Sequence, residues 1–527
     1  MTDKVVMGVD VGTGSARAGL FDATGRLLGR AEHPILMQRP EADHAEHDSE
    51  DIWQAVTAAA KAARDEAGIA AESVVGISFD ATCSLVALDR DDRPVSVSTT
   101  GEDRWNTIVW MDHRAIAEAE ECTASGHRVL NSVGGVMSPE MEIPKLMWLK
   151  RHLPGQWPRY ERLLDLADFL TFRASGANSR SCCTVTCKWT YLAHEEVGWQ
   201  ADFLDAMGLG DLTERAALPA QAVAIGTPLG KLTDQAAADL GLTTACEVGA
   251  GLIDAHAGAL AALGPHLAEG ASLDCHLGLI AGTSTCHMAL SDQPREVSGV
   301  WGPYFGAVAP DLWLNEGGQS ATGALLDHIL DWHAEGSAAD RGHEAVLARI
   351  EKLRAEEGDA FAERLHVLPD FHGNRSPLAD PHAVGVISGL TLESSFDSLA
   401  RLYYRTAVGI ALGTRHILDA LNEKGYGIDH LHVAGGHTKN PLLMELYADT
   451  TGCKVVTPAE EDVVLQGTAV VAACAAGLYP DLGAAAAAMA TSGKTIEPND
   501  GRRSGHDRAY RIFLAMHDQR GALDRLT

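Results

Sequence analysis

Two glycine-rich turns do most to restrict how this chain can fold: Asp10-Val11-Gly12-Thr13-Gly14-Ser15 near the start, and Gly282-Thr283-Ser284-Thr285 just past the middle. Residues 5–10 alternate and are β-branched, 16–22 read as a second strand, and 26–33 as a third after a turn at 23–25. The first turn therefore joins strand to strand. A dinucleotide-binding fingerprint needs a helix at that point, so a dehydrogenase is excluded. The second turn repeats the logic, with strands over 277–282 and 286–290. Identity between the halves is negligible, yet the shared design predicts two related α/β domains, 1–262 and 263–527. In each, successive backbone N–H groups of the turn form an anion nest.

Chain length alone leaves room for about three to four domains or for two large ones. The residues are 46% hydrophobic and 22% charged, the composition of an ordinary globular protein. A formal net charge of −30 argues against a nucleic-acid partner, because phosphate backbones are bound by a surplus of Lys and Arg. A nucleotide is still allowed, since it needs only a local pocket of N–H groups and a metal ion. None of the ten cysteines forms a CxxC pair; Cys182, Cys183 and Cys187 cluster without His at metal spacing and read as free thiols. The first residues carry no apolar signal core, and no apolar run approaches ~18 residues. A soluble, cytoplasmic protein with no membrane partner is expected.

Between the turns, close to the midpoint, runs Gly251-Leu252-Ile253-Asp254-Ala255-His256-Ala257-Gly258. Residues 248–253 read as a short buried strand and 255–263 as a small-residue helix, which puts Asp254 at the junction. A carboxylate there caps a helix in any protein. Lying between two phosphate-cradling turns, it also has the place of a general base that takes a proton from an acceptor hydroxyl. Asp10, ending the first strand, is placed to hold a hydrated Mg²⁺ beneath the phosphates.

The remaining candidates are weaker taken singly. Residues 49–67 read as an amphipathic helix capped by Ser49. A strand over 74–79 ends in Asp80-Ala81-Thr82-Cys83-Ser84-Leu85-Val86, a polar end that suits a ligand crevice or a surface turn. Residues 107–114 read as a strand with Asp112 and Arg114 on one side as an ion pair. Within 181–191, Lys188 is a cation among apolar and small neighbours, and a lone Lys ordinarily snorkels to the surface. Glu316 precedes a Gly-Gly break and a helix opened by Ser320, where an acid complements the helix dipole. Residues 339–363 read as a charged, solvated helical face, and 394–421 as a long helix with a core-facing stripe. A strand over 431–434 runs into Gly435-Gly436 and a helix with Asn440 in its first turn, an adenosine shelf whose glycines admit close approach. A helix opened by Gly467 and a closing helix over 502–527 complete the chain.

Three strings, Gly8 to Ser15, Val109 to Arg114 and Gly251 to Gly258, resemble the FGGY family of carbohydrate kinases. The run Asp80 to Val86 resembles its ribulokinase branch, and Thr82 to Val86 the D-ribulose-specific group within it. The strings around Val300 to Gly306 and Leu312 to Ala321 resemble that branch too, so the likeness extends from about residue 5 to about residue 515. It implies the actin-like ATPase fold, two ribonuclease-H-like domains with a central cleft. It also implies ATP-dependent phosphorylation of a ketopentose with ATP and Mg²⁺ as cofactors. D-ribulose is the substrate expected, with L-ribulose, ribitol and D-xylulose as alternatives, and a homodimer is left open.

By the same resemblance Asp254 is the base, while Thr82, Cys83, Lys188 and Glu316 orient the ketose beside it. ATP falls to Gly12, Thr13, Gly14 and Ser15, with Arg17 just beyond, to Gly282, Thr283 and Ser284, and to Gly435, Gly436 and Asn440. His437 departs from the pattern, standing where a smaller or apolar residue is expected. Two other classes share the fold. A filament or chaperone-type ATPase would have no use for Lys188 and Glu316, and a carbohydrate sensor would have no use for Asp254.

Overall fold

The computed structural model describes residues 4–267, 273–333, 342–358, 361–460, 462–491 and 493–526. Residues 1–3 and Thr527, where the expected domains begin and end, lie outside the described residues, as do 339–341 and 359–360 of the expected charged face.

Two sheets carry the fold, and their central strands repeat one design. In the first, Val5–Val11 is flanked by Ser15–Asp22 and Leu27–Pro34 on one side, and by Val74–Ala81 and Glu247–Gly249 on the other. The first three strands form an antiparallel meander, whereas Val74–Ala81 runs parallel to Val5–Val11. In the second sheet His276–Ala281 takes the central place. Thr285–Ser291 and Trp313–Gln319 follow antiparallel on one side, with His430–Ala434 and Lys454–Thr457 parallel on the other. Every residue of Val5–Val11 is buried, because the strand is central in its sheet and the helices Ser49–Ala67 and Val463–Ala475 pack on it. No described helix is long and apolar enough to cross a membrane.

One helix from the second half, Val463–Ala475, packs on the first sheet and on the helix Asp254–Leu267. Glycines make this fit possible. A Cβ on Gly467 would stand 1.9 Å from the carbonyl oxygen of Ala257, and one on Gly8 would stand 2.4 Å from that of Leu465. This helix begins at Val463, not at Gly467, so the glycine is a contact point within a helix rather than its start.

Several local expectations need correction. Asp48, not Ser49, caps the helix Ser49–Ala67, accepting from the N–H groups of Glu50 and Asp51. The strand expected over 107–114 stops after Thr107–Ile108, because the Trp110 N–H turns to the Ser84 hydroxyl and the Asp112 N–H to the Val109 carbonyl. The Asp112–Arg114 pair exists and is fully buried, with Glu46 as a second partner. The buried strand at 248–253 is two pieces, Glu247–Gly249 and Leu252–Ile253. Glu316 lies inside the strand Trp313–Gln319, which runs straight through Gly317 and Gly318; the next helix starts at Gly323. The charged face is the helix His343–Glu357, which buries Val346, Ile350 and Leu353. The closing helix is Arg503–Asp524, and the stripe of Phe396–Asn422 is buried throughout as expected.

Candidate active site

Asp254 is the first residue of its helix and stands half-buried where the short strand ends. Its Oδ1 accepts the Ala255 N–H at 2.7 Å, so a capping bond and a catalytic carboxylate coincide in one side chain. Burial raises its pKa above the ordinary carboxylate value, against the pull of that N–H, His256 and Arg17.

The parallel register of the first sheet sets Asp10 directly beside Asp80, and both are buried. Arg17, opposite Asp10 on the antiparallel neighbour, turns its guanidinium onto the Asp10 carboxylate. It is thus paired with Asp10 rather than extended toward a phosphate. Burial pushes Asp10 up to about 7, with Arg17 opposing and Asp254 adding to the rise. Burial, then the charge of Asp10, also holds Asp80 well above its usual range, although the Thr468 hydroxyl donates to it. Among the described residues, Asp10 Oδ1 and Asp80 Oδ1 have no hydrogen-bond partner. Two orphaned carboxylate oxygens beside a third acid are a donor set that fits Mg²⁺. Asp80 was visible in its motif but had no assigned role, because only the long-range strand pairing puts it beside Asp10.

In the first turn the Gly12 N–H is already given to the Ser15 carbonyl at 3.0 Å, and Thr13 Oγ1 accepts from the Trp110 indole at 3.0 Å. In the second, the Gly282 N–H is given to the Ser284 carbonyl at 2.8 Å. Gly282, Thr283, Gly436, His437 and Asn440 line one cavity of about 890 Å³, with Tyr403 from the long helix. Ser284 and Gly435 are not among its lining; Gly435 takes the positive-φ turn behind it, where a Cβ would meet the Ala281 carbonyl at 2.6 Å.

Asn440 is a helix cap and not a first-turn residue. Its Oδ1 accepts from the Leu442 and Leu443 N–H groups, leaving the amide nitrogen 3.4 Å from the Tyr403 hydroxyl. His437 is buried, with Nδ1 3.0 Å from the Tyr447 hydroxyl and the two rings stacked. Its departure from the expected small residue therefore lies in the cavity wall, braced from behind by Tyr447.

Residues from both halves meet around Glu316. Its carboxylate pairs with Arg375 at 2.9 Å and lies 3.4 Å from His256 Nε2. Lys188, whose side chain is fully buried rather than snorkelling, sits 4.2 Å over the Trp301 ring, and the Arg375 guanidinium 4.0 Å over the same ring. Against the cost of burial, Lys188, His256 and Arg375 hold Glu316 well below the carboxylate range. Burial likewise opposes the charge on Lys188, and Cys83 and Glu316 restore it. Cys83 is buried next to this cation and its thiol is pushed up to about 12 by burial. Thr82 is buried with its hydroxyl 3.1 Å from that of Ser84. Trp301, Arg375 and His256 escaped the sequence reading. His256 and Trp301 stood in quoted strings without an assigned role, and Arg375 lies in a stretch punctuated by glycine and proline that carried no site residue.

Behind His256 lies a further charge pair. Cys183 Sγ is 2.9 Å from His256 Nδ1 and accepts the Ile253 N–H at 3.4 Å. Burial would raise the thiol, but contacts to Cys187, His256 and Ile253 outweigh it and bring it down to about 5. His256, despite burial, is raised to about 10 by Cys183 and Glu316. Cys183, His256 and Glu316 thus form a chain that holds the Ile253 N–H just before Asp254 and the His256 ring just after it. Ultraviolet thiolate absorbance of the native protein should therefore titrate near pH 5, a step absent from Cys183→Ser; a native thiol titrating only near 9 would break this reading.

Comparison with known proteins places these residues in a wider setting. The model of the N-terminal domain of the FGGY family of carbohydrate kinases matches residues 5–261, and that of the C-terminal domain matches residues 277–476. The chain is 45% identical over 531 residues to an FGGY carbohydrate kinase domain-containing protein of Danio rerio, covering 97% of each. It is 38% identical over 516 residues to a D-ribulokinase of Saccharomyces cerevisiae, covering 90% of this chain and 72% of the yeast protein. The crystal structure of gluconate kinase from Lactobacillus acidophilus superposes with a TM-score of 0.83 at 20% identity, covering 99% of this chain and 100% of the other.

Proposed function

The chain belongs to the FGGY family of carbohydrate kinases, and from that premise we propose that it passes the γ-phosphoryl group of ATP to the terminal hydroxyl of D-ribulose, giving D-ribulose 5-phosphate. One observation carries the reading: the short strand Leu252–Ile253 pairs with Asp80 and Ala81, which delivers Asp254 to the end of the sheet that holds the Asp10–Asp80 pair, while His256, two residues on, reaches Glu316 at 3.4 Å. A base that faces both a phosphate cradle and a polar, cation-rich pocket has the two neighbours that phosphoryl transfer to a sugar requires.

In this reading Asp254 takes the proton of the terminal hydroxyl as that oxygen bonds to the γ-phosphorus and the bond to ADP breaks. The N–H groups of Thr13, Gly14, Thr283 and Ser284 face the equatorial oxygens, since those of Gly12 and Gly282 are spent within their turns. Asp10, with Asp80 behind it, would hold Mg²⁺, which when bound neutralises phosphate charge. Arg17 keeps Asp10 in place. Gly436 lets the adenosine approach the backbone, Gly435 makes the turn behind it, and Asn440 fixes the helix edge beneath it. Lys188 donates to sugar hydroxyls and Glu316 accepts from them, with Thr82 and Cys83 closing the other side. The base, Lys188, Thr82 and Cys83 belong to 1–262 and the adenosine shelf to 263–527, while Glu316 and the two phosphate turns meet across the cleft, and closure of one half on the other excludes water.

The choice of ketose rests on the run Thr82 to Val86 and on likeness to proteins described as a D-ribulokinase and as ribulokinases. ADP release measured with Mg²⁺-ATP against D-ribulose, L-ribulose, D-xylulose and ribitol tests it. D-ribulose should lead in kcat/KM by about tenfold or more, because a site built for one hydroxyl rejects its epimer. Preference for another of the four would overturn the substrate and leave the chemistry standing. ATP hydrolysis without sugar should be far slower than transfer; comparable rates would contradict closure.

A further inference from the structure

At the end of the second sheet opposite its phosphate turn, three strand residues and the far end of the Asp254–Leu267 helix bring imidazoles together. His276 opens the central strand and is paired in parallel register with His430. His430 and His432, two apart on one strand, share a face. His266, from the last turn of the helix, stacks on His276 with ring centroids 3.9 Å apart, and the His266 and His432 rings are 5.0 Å apart. His276 Nδ1 lies 3.0 Å from His432 Nε2. One nitrogen from each of His266, His276 and His432 falls within 4.8 Å of the other two.

A hydrogen bond between His276 and His432 accounts for that pair alone and does not require a nitrogen of His266 to converge on the same point. Two imidazoles bound to one ion at about 2.1 Å have nitrogens roughly 3.0–3.4 Å apart for angles between a right angle and the tetrahedral one, and the His276–His432 separation falls at that lower limit. The surroundings favour a cation. His266 lines a cavity of about 630 Å³ together with Asp274, Asp292 and Asp481, which gives an ion a route from solvent. Asp274 pairs with Arg295 through Oδ2 at 2.6 Å, and its Oδ1 is buried without a hydrogen-bond partner among the described residues.

We propose that His266, His276 and His432 form a binding site for one divalent transition-metal ion of the zinc type, distinct from the phosphoryl-transfer site. Imidazole donors prefer zinc and its first-row neighbours to Mg²⁺, so the ion that accompanies ATP does not compete there. The bound ion ties the distal end of the catalytic helix to the second sheet, at the place where the two halves of the chain join.

The test uses the full chain prepared without an affinity tag, stripped with a chelator and titrated with Zn²⁺ calorimetrically in excess Mg²⁺. One equivalent should bind saturably, and His276→Gln and His432→Gln should each weaken it about tenfold or more. Because both are buried, His266→Gln at the cavity edge is the variant least exposed to misfolding, and it should show the same loss. Substitution with Co²⁺ should give a visible spectrum of nitrogen coordination in the native chain that His266→Gln alters. Sugar-kinase turnover without Zn²⁺ should be unchanged in His266→Gln. Absence of a saturable equivalent overturns the site, and so does an affinity equal in all three variants, which would assign the zinc to thiols.

Discussion

Asp254→Asn should lower kcat for sugar-dependent ADP release by about 10²–10⁴-fold while leaving ATP binding intact, the range expected when a positioned general base is removed. The amide keeps the capping bond that Asp254 makes to the Ala255 N–H and loses only the capacity to take a proton. Burial raises the Asp254 pKa, and a base must be ionised to act, so wild-type kcat/KM should fall as pH drops through that raised value. The residual activity of the variant should lack this acidic limb. Stability runs the other way. A carboxylate whose folded pKa lies above its unfolded value contributes stability below the unfolded pKa, and this is lost as pH rises through the folded one. At neutral pH Asp254 therefore carries a cost that Asn does not, and the variant should melt no lower than wild type. Thermal melts beside the kinetics separate lost chemistry from lost fold. A variant within tenfold of wild-type kcat would remove Asp254 from the role of base.

What the chain disclosed in advance follows the range of the interactions involved. Both strand–turn–strand units were legible, because a hairpin meander is written in consecutive residues with its turn glycines between them. So was the buried stripe of Phe396–Asn422, whose period is local. The Asp10–Asp80 pairing was not, since parallel register is fixed by tertiary packing across about seventy intervening positions. Gly317 and Gly318 suggested a break because glycine usually punctuates. In the strand they serve closeness instead: a Cβ on Gly317 would stand 2.8 Å from Ile417, and one on Gly318 2.5 Å from Arg375. Lys188 looked like a surface cation because its carboxylate and aromatic partners lie more than a hundred residues away. Cys183 and His256 are 73 residues apart and meet only because the helix Cys182–Lys188 packs beneath the Asp254 junction. Asn440 and Asp48 show the smaller failure, a helix boundary displaced by one residue.

Glu316→Gln should cost about 3–5 kcal/mol of stability, the usual penalty for removing one partner from a buried charge cluster. Lys188, Arg375 and His256 all face that carboxylate, and none can retreat to water while the fold is closed. The pH dependence carries the same signature. His256 is raised to about 10, so its contribution is fully present below its unfolded value and is lost as pH rises through about 10. Without Glu316 part of that rise disappears, and the variant should lose stability at a lower alkaline pH than wild type. Kinetically, a residue that accepts from sugar hydroxyls should raise KM for the ketose and leave KM for ATP unchanged. Glu316→Asp, which keeps the charge, should recover most of the stability but less of the affinity, because a shorter arm cannot reach both the cations and the sugar. The double variant Glu316→Gln/Lys188→Met separates the two roles. Removing the stranded ammonium should restore part of the stability lost in the single variant, while ketose binding stays lost. Recovery of binding along with stability would make the cluster architecture only, and the ketose would have to be held elsewhere.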